Sequence, residues 1–340
     1  MLLVAALLSA CGDRRARLPD SAGAPGEVLV VMDKGHWESE PGRAVRALLE
    51  QPMAGLPQRE PLFRVAQCGP ADFASVLQTH HSVLHASIGA DSTGLWRIAN
   101  AHAAPQLIVQ VSAPTPEAWA ATWTARAEEA IRGIEDHQRA RLAALLRKQR
   151  DAALSGSLRA AFGIELDVPG GYRMVKLDSA FAWLERDRIM SGGGLEHNVV
   201  EGLLIHAHPY ASDSTWNVRH LVDLRDSVTR ARVPGPDPGS HMIVQRAFDP
   251  GNGAKPLDLM PLGRAVSLDG RFAYLMHGLY GMHGAKMGGP FVSLSAVYPS
   301  GRRFITAEGF VYAPHFNKAP YVRELEALLF SLRFAEQAGP

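Results

Sequence analysis

Several stretches of this chain combine residue types that can do chemistry. In His206-Ala207-His208 two imidazoles stand two residues apart, which on a strand places them on one face, and imidazole is a common ligand for Zn or Cu. His206 and His208 are therefore the candidate metal ligands, with Glu201, His220 and Asp223 near in sequence; histidines that are solvated or hydrogen-bonded are the alternative. Gly281-Met282-His283-Gly284-Ala285-Lys286-Met287-Gly288-Gly289-Pro290 offers glycines with positive-φ freedom and soft methionine contacts, a combination suited to a ligand or partner chain that approaches the backbone closely. Met282, His283, Lys286 and Met287 are its candidate ligand contacts, set against a hairpin with a long bulged turn whose methionines fill the core. Asp33, His36 and Trp37, just beyond a strand, bring a carboxylate, an imidazole and an indole together as a second candidate binding set; otherwise Asp33 caps a turn and Trp37 covers the core.

Leu8-Ser9-Ala10-Cys11 carries chemistry of another kind. The apolar run from residue 2 to 10 is too short to cross a bilayer as a helix, which takes about 20 residues, and suits the hydrophobic region of a signal peptide. An apolar stretch ending in small residues and one cysteine reads as a lipobox, in which the Cys11 thiol is acylated and the chain cut before it. The polar tract that follows, 11–26, reads as a flexible tether. Two or three acyl chains satisfy the two-signal requirement for stable anchoring. The expected partner is the lipid bilayer, through acylated Cys11 carrying palmitate-type chains. Gly12 stands where an aspartate acts as an inner-membrane retention signal in some bacteria, so the expected location is the cell envelope, at the outer membrane.

Composition narrows the rest. A chain of 340 residues, 46% hydrophobic, can bury a substantial core in two units. The formal net charge of +1, from 35 basic and 34 acidic residues, gives no footprint for nucleic acid. With Cys11 acylated only Cys68 remains, which excludes an intramolecular disulfide and a cysteine-rich metal site and makes Cys68 a small core residue. No Gly-x-Ser-x-Gly, no Ser-x-x-Lys and no phosphate-cradling glycine loop after a strand is present, so no catalytic residue and no cofactor is assigned.

The elements that must position these residues alternate first and meander later. Glu27-Val28-Leu29-Val30-Val31-Met32 reads as a buried strand. A helix with Val45, Leu48 and Leu49 on one side follows, then strands at 62–65, 83–88 and 107–111, and a short helix around Phe73, Val76 and Leu77. Thr115-Pro116-Glu117 opens a long helix to about residue 150, with Trp119, Trp123, Ala127, Ile131 and Ile134 on its apolar stripe. It belongs to a connecting segment, 115–162. From 163 to 335 strands are expected at 164–168, 172–177, 181–184, 199–206, 242–248, 271–279, 291–298 and 304–312, with helices at 215–231 and 321–332. The expected fold class is α+β: an N-terminal α/β unit over 27–114, a long joining helix, and an antiparallel sheet packed by helices as an α/β/α sandwich.

Glu27-Val28-Leu29-Val30-Val31-Met32-Asp33 with Trp37, Gly55-Leu56-Pro57-Gln58-Arg59-Glu60-Pro61-Leu62-Phe63, Ala104-Pro105-Gln106-Leu107, Arg225-Asp226-Ser227-Val228, Pro234-Gly235-Pro236, Met287-Gly288-Gly289-Pro290-Phe291-Val292-Ser293 and Glu308-Gly309-Phe310-Val311-Tyr312-Ala313-Pro314 together resemble the domain-of-unknown-function family 4837, a set of bacterial lipoproteins. The resemblance implies lipoprotein character, in agreement with Cys11, and brings no activity or catalytic residues. The second unit, opening at Val168-Pro169-Gly170-Gly171-Tyr172 and closing at Phe330-Ser331-Leu332-Arg333-Phe334, is also similar to the PsbP-like α/β/α sandwich, a likeness of fold only. The sequence thus points to a membrane-anchored binding or envelope-assembly module, not an enzyme, whose partner is an envelope protein or a small ligand. A metal-dependent or other hydrolase using His206 and His208, and a purely structural docking protein, are the alternatives.

Overall fold

A strand that is apolar without alternation belongs in a sheet covered on both faces. In the computed structural model, which describes residues 17–335 apart from 193 and 252, β1 (Glu27–Val31) buries Val28, Leu29, Val30 and Val31. There follow α1 (Lys34–Trp37), α2 (Glu40–Leu49), β2 (Arg64–Cys68), β3 (Ser82–Ile88), β4 (Gly94–Ala99) and β5 (Leu107–Ala113). The strands form a five-stranded sheet in the order β2-β1-β3-β5-β4, parallel except for β4, which runs antiparallel to β5. The short helix expected around Phe73 and Val76 is replaced by two 3-10 turns, Pro70–Asp72 and Leu77–Thr79. Val76 is 75% exposed, so that stretch has no apolar face to lay on a core. Cys68 is buried and unpaired, in a small cluster with Leu29, Val31, Val83 and Ile108.

The sheet's other face is covered by α2 and by α3 (Pro116–Lys148), whose cap Thr115 accepts a hydrogen bond from Ala118 N at 3.2 Å. Thirty-three residues give α3 a length of about 50 Å. Trp119, Trp123, Ile131 and Ile134 pack on the first sheet, while Leu146, near the far end, belongs to the core of the second unit. One helix therefore serves both cores. The helical stretch does not continue to residue 162 in one piece: Asp151 Oδ1 accepts hydrogen bonds from Ala153 N and Leu154 N and starts α4 (Ala152–Phe162), which ends at Gly163 with φ 65°. At the other end of the first unit, the stretch read as tether is already joined to the fold from Pro19. Pro19 O accepts from Ala104 N at 2.9 Å, and Ala22 exchanges bonds with Thr79 O (2.8 Å) and His81 N (2.9 Å). Cys11 and the apolar run before it lie outside the described residues.

The second unit comprises β6 (Ile164–Glu165), β7 (Arg173–Leu177), β8 (Phe181–Gly192), β9 (Leu195–Pro209), α5 (Val218–Arg232), β10 (His241–Val244), β11 (Ala247–Phe248), β12 (Leu257–Asp258), β13 (Leu262–Leu268), β14 (Arg271–His283), β15 (Ala285–Val297), β16 (Arg303–Tyr312), α6 (Ala319–Leu329) and β17 (Arg333–Phe334). An eight-stranded antiparallel sheet runs β10-β14-β15-β16-β9-β8-β7, with β13 also pairing β14. Strand alternation sorts its side chains. Leu203, Ile205, Leu294 and Ala307 face α6 and α4, while Leu204, Phe304 and Phe310 face Leu221 and Val222 of α5. This is the sandwich of helices about an antiparallel sheet expected from the sequence, and the fold is α+β.

Candidate functional site

The face under α5 carries an unusual share of polar groups. His206 is 5% exposed, and its Nδ1 lies 2.7 Å from His208 Nε2. Burial, then the neighbouring His208 and Arg225, hold the His206 pKa down to about 3; burial likewise lowers that of His208. Two neutral rings hydrogen-bonded to each other do not present a pair of lone pairs to one metal ion. Of the further ligands considered, His220 lies close enough to His208 to help lower its pKa, but the two carboxylates are engaged elsewhere. Glu201 lies on the opposite face of β9, held by Arg186 at 3.0 Å and Arg188 at 2.5 Å, and Asp223 pairs with Arg246 at 2.9 Å. No group of three or more His, Cys, Asp or Glu arranged to hold a metal occurs among the described residues. Beside the histidines, Arg225 and Glu308 form a buried bidentate pair, with Nε to Oε2 and Nη2 to Oε1 both at 2.7 Å. The guanidinium also lies over Phe291 at 4.3 Å.

Directly outward from His208 the interior opens into a groove. His208 lies 5.5 Å from the Phe304 ring, and Phe304 lies 5.7 Å from Trp216. Trp216 is the hub: Tyr210 is at 5.7 Å and 33°, Phe272 at 5.3 Å and 52°, and Tyr274 at 6.2 Å and 22°. Tyr210, Asp213, Trp216, Arg271, Phe272 and Tyr298 line an open groove of about 550 Å³. Tyr210 donates a short hydrogen bond to Asp213 Oδ1, and that bond raises the phenol's pKa.

Loops at one end of the second sheet build this groove. Tyr210 follows β9 and is tied by its N–H to Arg302 O at 3.0 Å. A 3-10 turn, Asp213–Thr215, sets Asp213 and Trp216 before α5. Asp269 (φ 49°) and Gly270 (φ 74°) form the two-residue turn between β13 and β14, placing Arg271 and Phe272 at the start of β14. Tyr298 follows β15, its N–H bonded to Arg303 O at 2.9 Å. None of these residues was selected from sequence, although aromatic residues on both sides of the polar turn Ser212-Asp213-Ser214-Thr215 and the Asp-Gly hairpin signal were present.

The other candidate sets lie elsewhere. β14 continues to His283 and β15 begins at Ala285, so the glycine-rich segment is a hairpin turning at Gly284 (φ 81°), with an irregular register at Gly281/Met282. Met282 is half-buried against the α5-side core, Met287 is half-buried, His283 and Lys286 are exposed, and the His283 ring lies 5.0 Å from His241. This tip is separated from Phe272 by eleven residues of one strand, about 36 Å. Asp33, His36 and Trp37 stand at the end of β1 in the first unit. Asp33 is exposed at the N-cap of α1 without a side-chain cap bond, His36 is half-buried, and Trp37 is covered by Arg46 at 4.4 Å.

The model of a domain of unknown function, DUF4837, matches residues 151–331, the whole unit that builds the groove. The chain belongs to this family. A second domain of unknown function, DUF8532, matches residues 21–147, so in this DUF4837 protein the boundary between the two matches falls at the break between α3 and α4. No curated protein matches the chain. Among solved structures, the DUF4837 protein is similar to the Saccharomyces cerevisiae Ran-binding protein Mog1p, at 12% identity and TM-score 0.30 over 51% of this chain and 90% of that one. It is also similar to a Bacteroides thetaiotaomicron protein (7%, 0.21, 52% and 47%) and to the human StarD13 lipid transfer and protein localization domain (11%, 0.21, 54% and 96%). At these TM-scores none of the three bears on what this chain does.

Proposed function

We propose that this chain is a lipid-anchored, non-catalytic binding module of the bacterial cell envelope, with the aromatic groove as its capture surface. The observation that carries the reading is the contrast between groove and interior. Aromatic rings with a carboxylate and a guanidinium on their rim are open to solvent, whereas the groups able to do acid–base work behind them, His206, His208, Arg225 and Glu308, are bonded to one another. Convergent polar groups around a mainly apolar concavity are the usual form of a ligand site. Acylation at Cys11 supplies the anchor in this reading, and no helix among the described residues is long and apolar enough to cross a membrane.

Two measurements test it. A photo-crosslinking amino acid at position 272, in living cells, is expected to give adducts in the envelope fraction that the same probe at exposed Asp91 does not; equal labelling at both positions refutes the groove. Cys11→Ser is expected to shift the protein from the membrane to the soluble fraction and to abolish incorporation of labelled palmitate, and an unchanged distribution refutes the anchor.

A further inference from the structure

We infer that the groove takes a carbohydrate, specifically a β-linked chain of pyranose rings, an inference that rests on the groove's being the capture surface. The groove's rim carries charge of both signs. Asp213 and Arg271 both line the groove and Arg303 lies over Tyr298 at 5.7 Å, so a singly charged ligand meets a like charge as well as an opposite one. An apolar protein segment fits no better, because its flanks would strip water from both charged groups without pairing them. A neutral ligand rich in hydroxyls meets neither penalty: Asp213 accepts from its hydroxyl groups and Arg271 donates to them.

The floor selects the other half of the ligand. A pyranose ring is polar at its edge and carries C–H groups on its faces, so it needs a flat apolar surface below and hydrogen-bonding groups at the side. Phe272, 49% exposed, supplies such a surface, with the half-buried rings of Tyr210, Trp216 and Tyr298 beside it. Trp216 is backed by Tyr274 and Phe304, which fixes its orientation before any ligand arrives. Trp216 is tilted by 33° to Tyr210 and by 52° to Phe272, so successive ligand rings meet planes turned relative to one another, as the rings of a twisted chain are. A groove of about 550 Å³, open to solvent, has room for more than one ring.

The test is isothermal titration of the full-length chain, purified in a non-glycosidic detergent, with the N-acetylglucosamine tetrasaccharide and with cellotetraose. Saturable binding of at least one tetrasaccharide is expected, weakened about tenfold by Phe272→Ala, weakened also by Asp213→Asn, and unchanged by Asp91→Ala at an exposed position of the first unit. Phe272 is half exposed and Asp213 is on the surface, so both variants keep the fold, which circular dichroism verifies. Binding of phosphocholine with no tetrasaccharide binding overturns the inference in favour of a zwitterionic headgroup. If neither probe binds while crosslinks at position 272 persist, the carbohydrate inference falls and the groove stands; if the crosslinks are absent as well, both fall. Tetrasaccharide binding insensitive to Phe272→Ala also overturns it.

Discussion

Arg225 and Glu308 show why a buried charge here is best read as a pair. Each is nearly inaccessible, the two are bidentate at 2.7 Å, and the guanidinium is stacked on Phe291. Removing one partner strands the other in a medium that solvates it poorly. Glu308→Ala is therefore expected to lower the unfolding free energy by about 3–5 kcal/mol, whereas Arg225→Met with Glu308→Leu recovers most of that loss. Urea titration of the single and double variants measures both, and a double variant as unstable as Glu308→Ala refutes the account. The histidines make a second prediction at this scale. Burial holds His206 at about 3 and His81 at about 4, against about 6.5 in an unfolded chain. Between those values the unfolded chain binds protons that the folded one does not, so stability is full above pH 6.5 and falls as the pH drops toward 4 and then 3. His206→Gln is expected to flatten the acid side of a plot of thermal midpoint against pH; parallel curves for variant and parent refute the assignment. The pairing of His206 and His208 on one face was legible from their spacing. Their bond to each other was not, because it depends on how β9 is packed in the folded sheet, and the groove beyond them draws on residues as far apart as Tyr210 and Tyr298.

At the scale of elements, legibility followed hydrophobic pattern. The long helix could be read because Thr115-Pro116-Glu117 marks its start and its stripe is continuous. Its end, expected near residue 150, falls at Lys148, although Ala152, Ala153 and Leu154 carry the helical composition on through the connecting segment past the break. The signal at the break is Asp151, whose carboxylate caps a new helix. Asp151→Ala is expected to cost about 1 kcal/mol, read as a lower urea midpoint, with Asp151→Asn close to the parent; equal loss in both variants points away from capping. Strands β4 and β13 went unread because each is mostly exposed, at Trp96 and Ile98 in one and Leu262 and Arg264 in the other, and lacks the apolar alternation that marks a half-buried strand. The glycine-rich 281–290 segment shows the converse. Of its two readings, a ligand-binding segment or a hairpin with a bulged turn, the structure gives the hairpin, and glycine serves there to let strands approach: a Cβ on Gly288 would stand 2.5 Å from Tyr280 O and one on Gly289 would stand 2.1 Å from Val311 O.

Across the whole molecule, the two units are joined by more than the shared helix. Glu60, buried in the first unit, accepts hydrogen bonds from Lys318 N at 2.6 Å and Ala319 N at 2.8 Å, meeting the unpaired N–H groups and positive end of α6 in the second. Further along the same seam Glu326 accepts from His277 at 2.9 Å and from Arg139 of α3 at 2.8 Å. Burial alone raises a carboxyl's pKa, but the His277 bond and the charges of Arg139 and Arg264 outweigh it and bring Glu326 down to about 2. On the first unit's side of α3, Gln138 accepts from Gly26 N at 2.9 Å and donates to Glu27 O at 3.0 Å, so the helix is fixed to β1 where it meets α6. A seam of directional, charge-assisted bonds couples the units: each such bond contributes about 1.5–3 kcal/mol net of the water that replaces it when the units part. Glu60→Ala deletes two of them and leaves both cores intact. The expected result is that a single thermal transition in the parent separates into two, with amides in the first turn of α6 losing hydrogen-exchange protection before those of β15 and β16. One unbroken transition with unchanged α6 protection shows instead that α3 alone couples the units, through the cores it shares.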